Sequence, residues 1–245
     1  HTGLFYEVPD EILRVGILTT INILEWIKNK NRDGKIMFTS SNEAYAGALE
    51  SFNQLPIPTA EGVPLVISDP YNPRWSYAGT KLIGELLFIN YSRVNNFRMS
   101  IVSPHNFYGP RAGTGHVIPD FIERILKKEN PFYVYGGEDT RSFCYIDDAI
   151  TQIVAVMETK KTDGETIFLG REKETKIIDL AKTLFDVVDY HPEIIIGRPS
   201  PKGSVKRRCP DTTKLYNLTG VKATTSLEDG LAKTFEWYKK NNNPI

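Results

Sequence analysis

Two short apolar runs, KIMFT at 35–39 and FRMSIV at 97–102, constrain the fold most, because a long stretch of helical periodicity precedes each. Before the first, Pro9 and Asp10 open a segment with apolar residues at Ile12, Val15, Ile17, Leu18, Ile21, Leu24, Trp26 and Ile27. That spacing predicts a helix to about residue 30, and the internal Gly16 and threonines suit a packed helix rather than a surface one. Before the second, RWSYAGTKLIGELLFINYSRV predicts a helix over 75–95. Helix, strand, helix, strand is the rhythm of a parallel sheet with crossover helices. In such sheets ligands gather at the carboxyl ends of the strands.

Residues with useful chemistry collect at those ends. On the helix at 75–95, Tyr77 and Lys81 stand at i and i+4 and face the same way. A phenol whose pKa is lowered by a nearby ammonium serves as acid and base near neutral pH, although one Tyr-x-x-x-Lys among 12 tyrosines is unsurprising alone. Ser40-Ser41-Asn42-Glu43 leaves the first strand, so a hydroxyl and a carboxylate are placed to meet the Tyr/Lys pair. Ser41 serves equally well as a helix cap, and Glu43 as a surface charge. Asn106, before Tyr108-Gly109-Pro110-Arg111, leaves the second strand toward the same rim. Arg141, Arg198, Lys206, Arg207 and Arg208 form a scattered basic set able to hold phosphates, or a solvated turn.

The remaining pattern predicts a loop over 46–74 with five prolines, a possible short strand at 63–67, helices at 117–128, 148–159 (capped by Asp147), 175–188, 212–217 (capped by Asp211) and 227–239 (capped by Ser226), and strands at 132–135, 141–146, 166–169 and 193–196. This divides the 245 residues into a sheet domain over 1–170, with insertions around 110–145, and a smaller lobe over 171–245. Equal acidic and basic counts, 30 each, argue against a nucleic-acid or membrane surface. No apolar stretch reaches membrane-spanning length. Cys144 and Cys209 make no disulfide framework and suit a reducing cytoplasm. His105, His116 and His191 lack metal-ligand spacing, so no metal is expected, and His105 reads as structural. Walker, Gly-x-Ser-x-Gly and Gly-x-Gly-x-x-Gly motifs are absent from these residues.

Six segments in order, TSSNEAY, SYAGTKLIGE, SPHNFYGPR, HVIPDFIERI, YGGEDTRSFCYIDDA and VKRRCPDTTKLYNLTG, make the chain resemble an extended short-chain dehydrogenase/reductase of the NAD-dependent epimerase/dehydratase family over roughly 8–240. The resemblance implies an α/β fold with a Rossmann-like parallel sheet and a smaller C-terminal substrate-binding lobe. It implies NAD as cofactor and a nucleotide-diphosphate sugar as substrate, with hydride transfer from sugar C4 giving a 4-keto intermediate. Tyr77 would be the acid/base, Lys81 would bind the nicotinamide ribose and depress the pKa of Tyr77, and Ser41 would hydrogen-bond the 4-oxygen. Ser40 and Pro104 would join Tyr77 and Lys81 against the cofactor. Asn42, Asn106, Arg141, Arg207 and Arg208 would contact substrate. Ser41-Asn42-Glu43 fits the hydroxyl-x-Glu of dehydratases and decarboxylases, where Glu43 would take the C5 proton. Asn42 stands where the dTDP-glucose type has an acidic Asp, which counts against that type of dehydratase, and several epimerases also carry the Glu; on the hydroxyl-x-Glu pattern the expectation leans to a dehydratase or decarboxylase over a 4-epimerase. Helices 11–30 and 75–95 would pair two subunits into a homodimer.

One departure is large. The family's opening strand, glycine-rich turn and helix all precede the residue matching His1, so the expectation is that the pyrophosphate seat is missing, the chain is N-terminally incomplete, and its isolated activity is weak. A non-catalytic module that kept the fold is the reading from another class.

Overall fold

The computed structural model describes residues 3–30, 34–52, 55–113, 115–197, 199 and 206–241. In chain order the elements are α1 (Leu4–Glu7), α2 (Pro9–Lys30), β1 (Lys35–Thr39), α3 (Ala46–Phe52), α4 (Trp75–Asn95), β2 (Arg98–Pro104), β3 (Phe107–Tyr108), α5 (Val117–Leu126), β4 (Phe132–Val134), β5 (Thr140–Ser142), β6 (Cys144–Tyr145), α6 (Ile146–Glu158), β7 (Thr166–Leu169), β8 (Glu174–Lys176), α7 (Ile177–Val188), β9 (Ile194–Ile196), β10 (Arg207–Arg208), α8 (Thr213–Thr219) and α9 (Leu227–Lys240).

The helix–strand rhythm produces the expected parallel sheet, in the order β1-β2-β7. Lys35 pairs with Arg98 and Thr39 with Val102, while Ile101 pairs with Thr166 and Pro104 with Leu169. Pro9 begins α2 where its missing N–H costs nothing, and Asp10 and Glu11 suit the positive end of the helix dipole. Helix α4 ends where Asn96 turns left-handed (φ 54°) and returns its N–H to Ser92 O at 2.8 Å. The two helices pack closely: a Cβ at Gly16 would lie 2.9 Å from Thr80. Leu24, Ile27, Phe88, Phe97, Met99 and Ile101 fill the space between helices and sheet.

A second apolar cluster joins α5, β4, α7 and α9 through Ile122, Phe132, Val134, Leu180, Leu184 and Leu231. A third, with Val102, Val156, Ile167, Leu169 and Leu215, packs α6 and α8 against β2 and β7. The short pairs β3-β6 and β4-β9, and the sheet β10-β5-β8, carry the rim.

Several boundaries differ from expectation. The proline-rich stretch is not a bare loop: Ala46–Phe52 is helical, and no strand forms at 63–67. The strand expected over 141–146 breaks at Phe143, because β5 pairs with β8 while β6 pairs with β3. The Asn106 side chain donates to Ser142 O at 3.1 Å and its carbonyl accepts from Cys144 N at 3.3 Å, fixing the break. Helix α6 starts one residue before Asp147, after Tyr145, without a side-chain cap. Residues 174–176 form a strand ahead of α7 instead of its first turn. Asp211 lies outside α8 and accepts from Thr213 N at 2.8 Å. Ser226 caps α9 as expected, accepting from Asp229 N at 3.0 Å.

Gly47, buried on α3, lets the chain after it fold back onto this helix. A Cβ there would lie 1.9 Å from the backbone oxygen of Val66. Backbone cannot swing aside as a side-chain tip can. Gly47→Ala is therefore expected to destabilise the protein by about 1–3 kcal/mol, despite the helix-propensity gain of roughly 1 kcal/mol. A thermal melt at or above the wild-type midpoint would refute this packing.

Candidate active site

The turn after β1 is built from hydroxyls. Ser40 N–H donates to Val102 O at 2.8 Å, continuing the ladder, and its side chain donates to Glu85 on α4. Ser41 Oγ accepts from Glu43 N at 3.2 Å, capping a 3₁₀ turn over Asn42–Tyr45. The same hydroxyl lies close enough to the Tyr77 phenol to favour its ionised form. Ser41 is thus both a cap and a neighbour of the phenol, so the two readings of this residue coexist.

On α4, Lys81 Nζ donates to Thr39 O at 2.9 Å and lies 5.5 Å from the centre of the Tyr77 ring. Burial lowers the Lys81 pKa. Tyr77 moves opposite to the expected direction: burial raises the phenol above its ordinary value, the Ser41 hydroxyl offsets part of this, and the Glu43 charge adds to the rise. Burial, rather than the Lys81 charge, sets the direction of the Tyr77 shift. Phe5 of α1 stacks on the Tyr77 ring, centroids 5.3 Å apart. Pro104 ends β2, at the carboxyl edge of the sheet beside Ser40's ladder.

Glu43 is held from two sides. Arg74 Nη2 meets its Oε2 at 3.1 Å and Arg208 Nη1 meets its Oε1 at 2.7 Å. Burial pushes this carboxyl up, but the two guanidiniums outweigh it and hold the carboxyl below its usual range. Arg208 Nη1 also donates to Asn42 Oδ1 at 2.9 Å. Its Nε, by contrast, is buried without a hydrogen-bond partner. A buried donor left unmet costs roughly 1–3 kcal/mol. Arg141 donates to Thr140 O at 2.7 Å and is pushed down to about 10, by burial first and then by the Arg208 charge.

Alternation along β10 separates two arginines that the sequence leaves equivalent. Arg208 points inward at 6% exposure, whereas Arg207 points out and pairs with Glu174 through contacts of 2.9 and 2.7 Å. Arg198 lies outside the described residues. The Lys206 carbonyl serves Thr140 N–H at 2.9 Å. Asn106, at φ 43°, spends its amide N–H on Ser142.

Two participants escape the sequence reading. Arg74 stands three residues before Tyr77, and its position beside the catalytic helix was the available signal. Glu85, four residues after Lys81, is a buried carboxyl whose pKa burial raises and the Ser40 bond partly offsets. A cavity of about 220 Å³ opens between Ser41, Tyr45, Val63, Glu85, Ser103 and Phe168. Behind it His105 Nε2 meets Tyr45 Oη at 2.6 Å, and complete burial pushes the imidazole down to about 3, so it is neutral and structural. Among the described residues no group of three or more His, Cys, Asp or Glu is placed to hold a metal, and no helix is long and apolar enough to cross a membrane.

A hydroxyl, a phenol, an ammonium and a carboxylate between guanidiniums form an acid/base site beside an anion site. Tyr77, Lys81, Ser40 and Pro104 fit the nicotinamide-ribose end of a dinucleotide, since Lys81 and Tyr77 lie side by side at the sheet's carboxyl edge. The 245 residues contain no glycine-rich strand–helix turn to cradle its pyrophosphate.

The family model for the NAD dependent epimerase/dehydratase family matches residues 1–170. A UDP-N-acetyl-alpha-D-glucosaminuronate decarboxylase of Bacillus cytotoxicus is 31% identical over 243 residues, covering 95% of this chain and 72% of that protein. A putative UDP-glucose 4-epimerase of Methanocaldococcus jannaschii is 30% identical, covering 93% and 70%. The solved UDP-glucose 4-epimerase of Thermotoga maritima, with UDP-glucose, superposes with a TM-score of 0.84 at 27% identity, covering 99% of this chain and 75% of that one. The UDP-glucuronic acid 4-epimerase of Bacillus cereus, in complex with UDP-glucuronic acid and NAD, gives 0.79 at 28% identity, covering 92% and 68%. On the family match and these identities, this chain belongs to the NAD dependent epimerase/dehydratase family, whose relatives include nucleotide-sugar enzymes.

Proposed function

We propose that the protein is an NAD-dependent nucleotide-sugar decarboxylase, working on a UDP-linked uronate through a 4-keto intermediate. The observation that carries this reading is that Glu43, held by Arg74 and Arg208 below its usual carboxylate range, is a poor base for the C5 proton that dehydration has to remove. The decarboxylase relative at 31% identity supports the same choice.

NAD⁺, when bound, accepts a hydride from sugar C4 and later returns it. This chain's residues do the rest. Tyr77 takes the proton of the C4 hydroxyl, and Ser41, beside that phenol, orients the 4-oxygen. Lys81, beside the ring, would bind the cofactor's ribose. With a ketone at C4 the C5–carboxylate bond breaks, CO₂ leaves, and the electron pair moves onto the 4-oxygen, where Ser41 and Tyr77 hold the enolate. A proton added at C5 and the returned hydride at C4, with the Tyr77 proton restored, give the pentose. The sum is uronate plus one proton to pentose plus CO₂.

Dehydration suits the site less well. It needs a base for the C5 proton, and Glu43 sits below its usual range between Arg208 and Arg74. It also needs an acid for the leaving hydroxyl, which Asn42 cannot be. Loss of CO₂ needs neither. Substrate contact is assigned to Asn42, Arg141 and Arg208, with Arg207 and Asn106 at the periphery.

Exposed Val15, Leu18 and Trp26 on α2 and Leu86 on α4 support a homodimer through these two helices. Sedimentation at micromolar concentration is expected to give a dimer, and a persistent monomer would sink that assignment.

With NAD⁺ and UDP-glucuronate or its N-acetylglucosamine counterpart, CO₂ and a UDP-pentose are the expected products. The assay is run on this chain and on any longer form that carries a glycine-rich turn. A clean C4 epimer without CO₂ would replace the decarboxylase with an epimerase. In the active form Tyr77→Phe should lower turnover by roughly 10²–10⁴-fold with the fold intact; near-normal turnover would remove Tyr77 from its role.

Glu43 also gives a pH signature. Its folded pKa is depressed, so its stabilisation is present above the unfolded carboxylate pKa and disappears as pH falls through the folded value. Glu43→Gln is expected to destabilise by roughly 1–3 kcal/mol at pH 7, with the gap closing in acid. A gap independent of pH between 7 and 3, measured by thermal melts, would contradict the charged pairing.

A further inference from the structure

Strand β10 has only two residues, yet the direction of Arg208 depends on its register. A slip of one residue would turn Arg207 in and Arg208 out. On one side β10 is paired with β5, Arg207 to Thr140 and Arg208 to Arg141. That short ladder is thin support for a side chain that must meet Glu43 165 positions away in sequence.

The second support comes from the proline-rich stretch. Thr59 N–H donates to Cys209 O at 2.9 Å, and Thr59 O accepts from Asp211 N at 2.8 Å. Together they make a parallel bridge around Pro210, which has no N–H to give. Thr59 is 1% exposed, and its hydroxyl closes the local turn on Pro56 O at 2.7 Å. Two residues on, Glu61 Oε1 accepts from Phe168 N at 2.6 Å. Phe168 belongs to β7, which among the described residues pairs only with β2, so Glu61 ties the stretch to the edge of the main sheet.

We propose that residues 55–61 are a positioning strap, with Thr59 and Glu61 as anchors, whose task is to hold β10 in the register that puts Arg208 against Glu43. The strap's purpose rests on the reading of Arg208 as the substrate's anion contact. Its mechanical effect does not. Thr59 and Glu61 are positioning residues: they act on the site through the Arg208 backbone.

The test reads Glu43 directly, without turnover. The groups bearing on its carboxylate are Arg74 from the start of α4, Arg208 from β10, Arg141 from β5, Tyr77 from α4 and Tyr45 from the 3₁₀ turn after β1. The Glu43 carboxyl carbon is titrated by NMR in wild type, Glu61→Ala, Glu61→Gln and Thr59→Pro, which deletes the N–H given to Cys209. Glu61→Ala and Thr59→Pro should move the Glu43 midpoint up by about one pH unit as Arg208 withdraws. Glu61→Gln keeps an oxygen for Phe168 N–H and should restore the wild-type midpoint. A folded Glu61→Ala protein with an unmoved Glu43 midpoint overturns the strap, whatever Thr59→Pro does. In the active enzyme KM should rise about tenfold in Glu61→Ala, and the same change in an Arg208→Ala background should add nothing further; additive effects also overturn it. A moved Glu43 midpoint in a protein that releases no CO₂ would uphold the strap and remove the decarboxylase reading, and the reverse pair of results would do the opposite.

Discussion

The carboxylate of Glu43 divides its two oxygens between Arg74 and Arg208, and most of the site's geometry depends on that division. Arg74 brings the start of α4, hence Tyr77, toward the turn after β1. Arg208 brings in β10, and with it β5 and Arg141. One carboxylate thereby links the catalytic helix to the rim strands. The contact is mostly buried, so removing one partner would leave an uncompensated charge at a cost on the order of a few kcal/mol. The same pairing limits what Glu43 does chemically, because a carboxylate held this firmly is a poor base.

Beneath that link lies the parallel register. Thr39 ends β1 opposite Val102 while β2 continues to Pro104, which lets Ser40 continue the ladder and places Ser41 beside Tyr77. Lys81 reaches across to the carbonyl of Thr39 and ties α4 to the end of β1. Position in the sheet, rather than any local motif, gives Tyr-x-x-x-Lys its chemistry.

Legibility in the sequence followed the range of each interaction. Helix α4 and strands β1 and β7 were readable because periodicity is local, as was the Ser226 cap. Helix α3 was not, since AGALESF has weak periodicity and the prolines after it dominate the stretch. The break at Phe143 depends on β5 and β6 choosing different partners, which no local pattern encodes. Arg207 and Arg208 looked alike because their difference is which face of a two-residue strand each occupies. Arg74 went unnoticed because its partner lies 31 residues earlier. The direction of the Tyr77 shift is illegible for a related reason: i, i+4 spacing places the ammonium nearby but does not say how deeply the phenol is buried.

The raised pKa of Tyr77 bears on why two arginines serve one glutamate. In the proposed reaction Tyr77 has to give up its proton, yet burial and the Glu43 charge both oppose the phenolate. An unpaired Glu43 would add its full charge to that penalty in a poorly solvated site. Arg74 and Arg208 compensate that charge, so the carboxylate can bridge the two halves of the site while adding less to the cost of ionising Tyr77. A change that frees Glu43 from Arg208 would then act twice, loosening β10 and making Tyr77 a weaker acid. Under the proposed roles, Arg208 and Tyr77 are coupled through a carboxylate that need not touch the reacting carbon.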